Sequence, residues 1–368
     1  MPRKLVPAAL APFRRKLLAW YRAEKRDLPW RRTHDPYRIW LAEIMLQQTR
    51  VVAAIPYYER FLDRFPTLEA LAQAPIEDVL RLWSGLGYYS RARNLHRAAQ
   101  EIVARHHGQF PREWSAALAL PGIGRYTAAA ILSIAYDEPH AVLDGNVARV
   151  LARLDAIRGD LRAPRRWVAL QTRAQALLEP RGAGDWNQAM MELGATVCLP
   201  KAPRCDACPV RKWCRADALG IAGELPAVRK KSKPVRVTLA AAVFVDAGRR
   251  TLLLKSSAAE AALFSRLWQF PAVESAGDPR AALAEHLKSK FGLRQPNCEP
   301  AGDSRHSVTF RQIKLVAFVV RVKRLPRMAG ARMLMLAQLH QLPISNATRK
   351  IAAQALRLLS QHPPSGKR

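Results

Sequence analysis

Two carboxylates sit where carboxylates are costly. Glu43 lies in RIWLAEIMLQQT, and on a helix its face neighbours are Ile39, Trp40 and Leu46, three or four residues away. Desolvation on such a face raises an acid's pKa and keeps it protonated, as a general acid near neutral pH must be. A glutamate at a cleft edge making a structural hydrogen bond fits the same pattern. Asp144 follows Val142 and Leu143 and precedes Gly145 and Asn146. It is placed to N-cap the helical run VARVLARL, or to stand ionised beside a developing positive charge. Cleavage of a sugar's glycosidic bond divides its labour between one carboxylic acid and one carboxylate around an oxocarbenium-like state. A base–sugar bond is a target that such a pair could hydrolyse.

The chain has five cysteines, and four of them, Cys198, Cys205, Cys208 and Cys214, crowd into CLPKAPRCDACPVRKWC. In an intracellular chain such clustering favours a metal over disulfides. Zinc sites usually show two close pairs, whereas here one close pair has two flanking singles. Four thiolates on a short loop also suit a [4Fe–4S] cluster, so spacing leaves both open.

A third motif is LPGIG, with Gly122 and Gly124 in front of the small-residue run RYTAAAILSIAY. Glycine tolerates a positive φ, so the backbone can turn tightly there. A helix starting just after it would point free N–H groups outward, where a phosphate can sit. An ordinary helix–helix turn has the same sequence signature.

These residues need elements to hold them, and the chain divides in texture. From Pro12 to about Gly220, apolar residues recur at helical spacing in FRRKLLAWY, PYRIWLAEIMLQQ, IEDVLRLWSGL and NQAMMELGATVC. Residues 1–224 are therefore expected to be a helical domain. Residues 225–236, within LPAVRKKSKPVRV, are expected to be an extended basic linker. Residues 237–360 are expected to be a small mixed α/β domain. Its strands are VTLAAAVFV, TLLLK and RQIKLVAFVVRV, and its helices PRAALAEHLKSKF and ATRKIAAQALRLL. Residues 361–368 are expected to be disordered.

Sixty Lys and Arg against 29 Asp and Glu leave a formal net charge of +31. Such an imbalance calls for a polyanionic partner, nucleic acid first and an anionic membrane surface second. No stretch approaches the roughly 20 apolar residues of a membrane span. Two prolines in LVPAALAP and the FRRK after it argue against a signal peptide, so an intracellular location is expected.

The metal loop has the Cys-x6-Cys-x2-Cys-x5-Cys spacing of the iron–sulfur loop in the endonuclease III and MutY DNA glycosylases. Leu120 through Ala128 resembles the helix–hairpin–helix of the same superfamily. LPWR, AEIMLQQT, GLGYYSRARNL, LDGNVARVLAR and NQAMMELGATVC resemble signatures of the MutY family. The resemblance covers roughly residues 20–220 and implies two helical lobes with duplex DNA across the cleft, acting as a monomer. It implies a [4Fe–4S] cluster on the four cysteines and phosphate contacts at Gly122 and Gly124. It implies that Glu43 protonates adenine and later assists water, that Asp144 stabilises the sugar cation, and that Tyr126 and Asn146 support the pair. Trp30, Arg31, Leu46 and Gln188 would line the adenine pocket. Gln48, Leu86 and Tyr88 would fill the vacated stack and touch the opposite base, since a base must be extruded to be reached. Strand-nicking relatives keep a lysine where this chain has Tyr126, and a phenol cannot form their imine. The implied activity is monofunctional removal of adenine opposite 8-oxoguanine or guanine.

The C-terminal part resembles a Nudix-type domain as in the MutY family, on LFSRLWQFPAVES. The glutamates that a magnesium-dependent Nudix enzyme needs are replaced by His286, Ser289 and Lys290 in EHLKSKFGL, so recognition of the opposite base is expected in place of hydrolysis. The family's Phe-Ser-His on a loop of this domain is Val308-Thr309-Phe310 here. Thr309 keeps the hydroxyl and the histidine is gone, which bears on the preference for 8-oxoguanine.

Overall fold

The computed structural model describes residues 7–227, 234–255, 267–308 and 310–361. The chain divides into two units. One comprises Met1–Ala74 and Ser90–Lys230, the other Pro75–Tyr89 and Lys231–Arg368.

The first unit is helical. Its helices are α1 (Pro7–Glu24), α2 (Pro36–Leu46), α3 (Val51–Arg64), α4 (Leu68–Gln73), α6 (Ser90–Arg105), α7 (Trp114–Ala119), α8 (Arg125–Tyr136), α9 (Gly145–Leu154), α10 (Pro164–Leu177), α11 (Ala183–Thr196) and α12 (Arg215–Ala218). Helix α5 (Ile76–Leu82) belongs to the second unit. One core of the helical unit gathers Phe13, Leu17 and Tyr21 of α1 with Leu151 of α9, Leu170 of α10, and Trp186 and Leu193 of α11. The Phe13 ring meets Trp186 at 5.9 Å and Trp213 of the cysteine loop at 5.5 Å, which ties that loop into the core. Helix α8 carries the small residues Ala128, Ala129, Ala130 and Ser133 inward, so α2 and α11 both pack on it.

Local chemistry sets the ends of the helices that matter for function. Asp35 caps α2, accepting from Tyr37 N at 2.8 Å, with Pro36 in the first turn where no N–H is needed. The segment expected to be helical, PYRIWLAEIMLQQ, runs on into Gln47 and Gln48, but the helix stops at Leu46. Arg91, buried on α6, donates through Nη1 to the carbonyls of Ile44 (2.7 Å), Met45 (2.9 Å) and Gln47 (2.5 Å), and so satisfies groups the helix leaves open. Helix α8 ends on Asp137 at φ 57°, whose carboxylate accepts from Gly182 N (2.9 Å) and Gly184 N (3.1 Å) and fixes the start of α11.

The second unit is mixed α/β. Strands β1 (Val235–Val245), β2 (Arg250–Lys255), β3 (Trp268–Gln269), β4 (Ala272–Ser275), β5 (Cys298–Val308), β6 (Arg311–Arg321) and β7 (Ala331–Met335) form two sheets, ordered β4-β1-β6-β5 and β3-β2-β7. Strands β1 and β6 are parallel; β4 and β5 flank them antiparallel. Helix α13 (Pro279–Phe291) covers one face of β1, against Ala240, Ala242 and Phe244. Helix α14 (Asn346–Gln361) covers the other, against Ala241, Val243 and Val245. Burial on both faces explains why this strand reads as one continuous apolar run.

The expected boundaries shift in two places. Pro75–Tyr89 packs with the second unit, because Ser84 Oγ and Tyr89 OH donate to Ile344 O at 2.6 and 2.9 Å. Asn346 Nδ2 donates to Gly85 O at 2.9 Å, and Arg349 Nη2 to Ser84 Oγ at 2.9 Å. The expected linker is also shorter at both ends. Leu225 is buried and its carbonyl accepts from Arg153 Nε at 2.8 Å, while β1 begins at Val235. The tail 362–368, expected to be disordered, lies outside the described residues, and Gln361 is the last residue of α14.

Candidate active site

A cavity of about 230 Å³ opens in the helical unit, and its walls collect residues far apart in sequence. Trp30 and Arg31 come from a 3-10 turn (Pro29–Arg31), Glu43 and Leu46 from α2, and Tyr126 from α8. Asp144 and Asn146 come from the head of α9, and Gln188, Met191 and Glu192 from one face of α11. Every residue expected in the catalytic group or the base pocket lies here: Glu43, Asp144, Tyr126, Asn146, Trp30, Arg31, Leu46 and Gln188. A larger hollow of about 680 Å³ lies elsewhere on this unit, but its lining acids, Asp35 and Glu69, are not buried.

Glu43 is 6% exposed. Burial pushes its carboxyl up to about 7. The hydrogen bond from Tyr126 OH to Glu43 Oε2, 2.7 Å, works against burial; the Asp144 charge adds to the rise and Arg31 lowers it. Tyr126 is held well above the usual phenol range by burial and by the two carboxyls, so it stays a neutral donor.

Asp144 is the N-cap of α9 and accepts from Val147 N at 2.7 Å. The expected cap is thus present, and the capping carboxylate also lines the cavity. Burial raises this carboxyl, and the Val147 N–H, the Asn146 side chain and Arg149 oppose the rise. Asn146 Nδ2 donates to Asp144 Oδ2 at 3.0 Å, and its Oδ1 accepts from Arg149 Nη2 at 2.9 Å. Behind Asp144, buried Asn187 accepts from Val142 N at 3.0 Å and donates to Ser133 Oγ at 2.9 Å, pinning the approach strand to α8. Gly194 of α11 is required beside this group: a Cβ there would lie 2.7 Å from Asn146 Cβ.

Gly122 turns at φ 78°, with Asn94 Cβ where its own Cβ would be. Gly124 is extended, at φ −97°, and caps α8 with open space in front of it, so only one of the two glycines needs left-handed backbone. Gln48 is exposed, at φ 60°, just beyond α2. Leu86 and Tyr88 lie in the Pro75–Tyr89 segment of the second unit, with Tyr88 41% exposed at φ 49°. Thr309 lies outside the described residues; Val308 pairs with Arg311 where β5 and β6 close a hairpin.

The cysteines Cys198, Cys205, Cys208 and Cys214 are free thiols, each partly buried. Burial, then the Asp217 carboxylate, pushes Cys205 up to about 11; burial, reinforced by the charges of the other cysteines, pushes Cys208 up to about 12. Arg153 Nη1 donates to Cys198 Sγ at 3.2 Å. Among the described residues no three His, Cys, Asp or Glu side chains are gathered in the arrangement of a metal site. The donor chemistry, four thiols on one loop with the Arg153 guanidinium beside Cys198, nevertheless suits a thiolate-bound cationic group.

Sequence reasoning missed Glu192 and Arg26. Glu192 accepts Arg26 Nε and Nη2 and Arg31 Nη2, each at 2.7 Å, and these cations hold it down to about 2 against burial. One signal was available: Gln188 and Glu192 are four apart on α11 and so share a face.

Residues 41–168 match the family described as "HhH-GPD superfamily base excision DNA repair protein". The chain is 48% identical over 230 residues to the adenine DNA glycosylase of Rattus norvegicus, covering 60% of this chain and 45% of that one. It is 37% identical over 323 residues to the adenine DNA glycosylase of Arabidopsis thaliana, covering 75% and 50%. The chain thus spans about half the length of these curated relatives. A solved thermostable thymine-DNA glycosylase superposes with a TM-score of 0.52 at 29% identity, over 56% of this chain and 95% of that one.

Proposed function

We propose that the protein is a monofunctional adenine DNA glycosylase. It flips adenine from mispairs with 8-oxoguanine or guanine and hydrolyses the base–sugar bond without nicking the strand. The observation that carries the reading is the 2.7 Å hydrogen bond from Tyr126 to buried Glu43 in a cavity shared with Asp144. A carboxyl pushed to about 7 is a proton donor at physiological pH, as departure of a poor leaving base requires. Asp144, with donors from Val147 and Asn146 and the Arg149 charge behind it, supplies the anionic partner for the sugar cation. Trp30, Arg31, Leu46 and Gln188 surround the flipped base. Gln48, Leu86 and Tyr88 occupy the gap it leaves. The 37–48% identity to proteins named adenine DNA glycosylase supports the choice of base. Tyr126 in the place of an imine-forming lysine supports hydrolysis without strand cleavage.

Cys198, Cys205, Cys208 and Cys214 would hold a [4Fe–4S] cluster, which when bound cross-links the loop. Lys201, Arg204, Arg211 and Lys212 on that loop then meet phosphates, as do the backbone N–H groups after Gly122 and Gly124. Residues 237–360, which include Thr309, read the base opposite adenine, and the enzyme acts as a monomer.

The test is single-turnover base release from duplexes carrying adenine opposite 8-oxoguanine, guanine, cytosine and thymine, and carrying oxidised pyrimidines. Adenine should leave opposite the first two. Glu43→Gln and Asp144→Asn should each nearly abolish release while duplex binding survives. Release of oxidised pyrimidines with borohydride trapping of a lysine adduct would overturn the reading. Iron and sulfide analysis decides the cluster, and stoichiometric zinc would refute it.

A further inference from the structure

We propose that Glu192 is a positioning residue that holds the charge of Arg31 away from Glu43, so that Glu43 keeps its proton. The inference rests on the reading of Glu43 as the acid. Arg31 lines the same cavity as Glu43, and its side chain is only 9% exposed. A guanidinium so desolvated must pair with an anion. Two carboxylic side chains are within its electrostatic reach, and the choice between them decides the chemistry. Pairing with Glu43 would favour the carboxylate and remove the general acid.

The geometry gives Arg31 to Glu192. Arg31 Nη2 donates to Glu192 Oε2 at 2.7 Å, its Nη1 to Arg26 O at 3.1 Å, and its guanidinium lies 5.5 Å from the centre of the Tyr21 ring. Glu192 is secured as an anion by a second cation: Arg26 grips both its oxygens at 2.7 Å, and Arg26 N reaches Oε1 at 3.1 Å. The groups facing Glu43 are then Tyr126 of α8, which donates to it, Asp144 at the head of α9, with Arg149 behind, and Arg31 from the 3-10 turn. Those facing Glu192 are Arg26, Arg31 and Tyr21, the last from α1 near Asp185. The residual effect of Arg31 on Glu43 is to lower it, which is the direction that would grow if Arg31 were released.

The experiment is the pH profile of single-turnover adenine release at saturating enzyme. Glu192→Gln keeps the shape and removes the charge. It should move the alkaline limb down by about one pH unit, a ~10-fold loss at pH 8 that closes to within about threefold near pH 5.5. Adding Arg31→Met to it should return the limb to the wild-type position, because the released charge is then gone. Arg26→Gln, on a side chain 40% exposed, leaves Glu192 wholly to Arg31 and should move the limb upward, which covers the case in which Glu192→Gln does not fold. A uniform rate loss with an unmoved limb, a double variant that keeps the lowered limb, or a downward limb in Arg26→Gln would each overturn the proposal. Carbon-13 shifts of labelled Glu43, assigned by loss of the signal in Glu43→Gln, follow the same ionisation without turnover. They separate failure of this inference from failure of the glycosylase reading.

Discussion

Glu43 and Glu192 share an arginine, and their surroundings drive them in opposite directions. Glu43 has no cation bonded to it among the described residues and holds its proton to about 7; Glu192, with two, ionises at about 2. These shifts have opposite consequences for stability. Glu43 keeps a proton that the unfolded chain has released above its ordinary 4.5, so folding weakens as pH rises from 4.5 to 7. Glu43→Gln should therefore raise stability by up to ~3 kcal/mol above pH 7, with the gain vanishing toward pH 4.5. Urea melts at pH 4.5 and 7.5 check this; equal gains at both would contradict it. Glu192 runs the other way, contributing stability above 4.5 that is lost as pH falls through 2. Glu43, Tyr126 and Asp144 were legible because each stands out locally: an acid among apolar residues, a phenol in place of a lysine, a cap before a helix. Glu192 was not. On a helix it reads as a solvated position, and its partners lie 161 and 166 residues away.

Between elements, the site depends on close approach and on carbonyls satisfied from a distance. Gly194 lets α11 pass against the head of α9. Gly194→Ala should push Asn146 off Asp144, costing ~1–3 kcal/mol in thermal melts and, on the proposed glycosylase activity, slowing base release far more than it weakens duplex binding. Arg91 closes α2 by taking three carbonyls after Glu43. Arg91→Met should cost about 1–3 kcal/mol through orphaned acceptors and loosen Gln48, read as lost amide protection there in hydrogen exchange. The helices themselves were visible as periodicity, and so was β1 as an apolar run. The end of α2 was not, because the residue that ends it arrives 44–47 residues later from another helix.

At the scale of the whole chain, +31 is the dominant fact. If duplex DNA is the partner, affinity should fall steeply with salt. Contact with about six phosphates gives a log–log slope near −5, whereas a slope near zero would assign the charge elsewhere. The division into a helical and a mixed unit was readable from texture. The excursion of Pro75–Tyr89 was not, since IEDVLRLWSGL has the same helical rhythm as its neighbours and only its partners, Ile344, Asn346 and Arg349, reveal where it belongs.

That excursion also limits how the gene can be cut. A stop codon in the 228–233 stretch leaves the helical unit contiguous on paper, yet it removes the hydrogen bonds that Ser84, Gly85 and Tyr89 make with Ile344, Asn346 and Arg349. The complementary fragment, begun at the same stretch, loses α5 and the buried Trp83. Neither expression fragment is a natural module, and a faithful split of this protein needs the 75–89 segment grafted onto the 231–368 fragment.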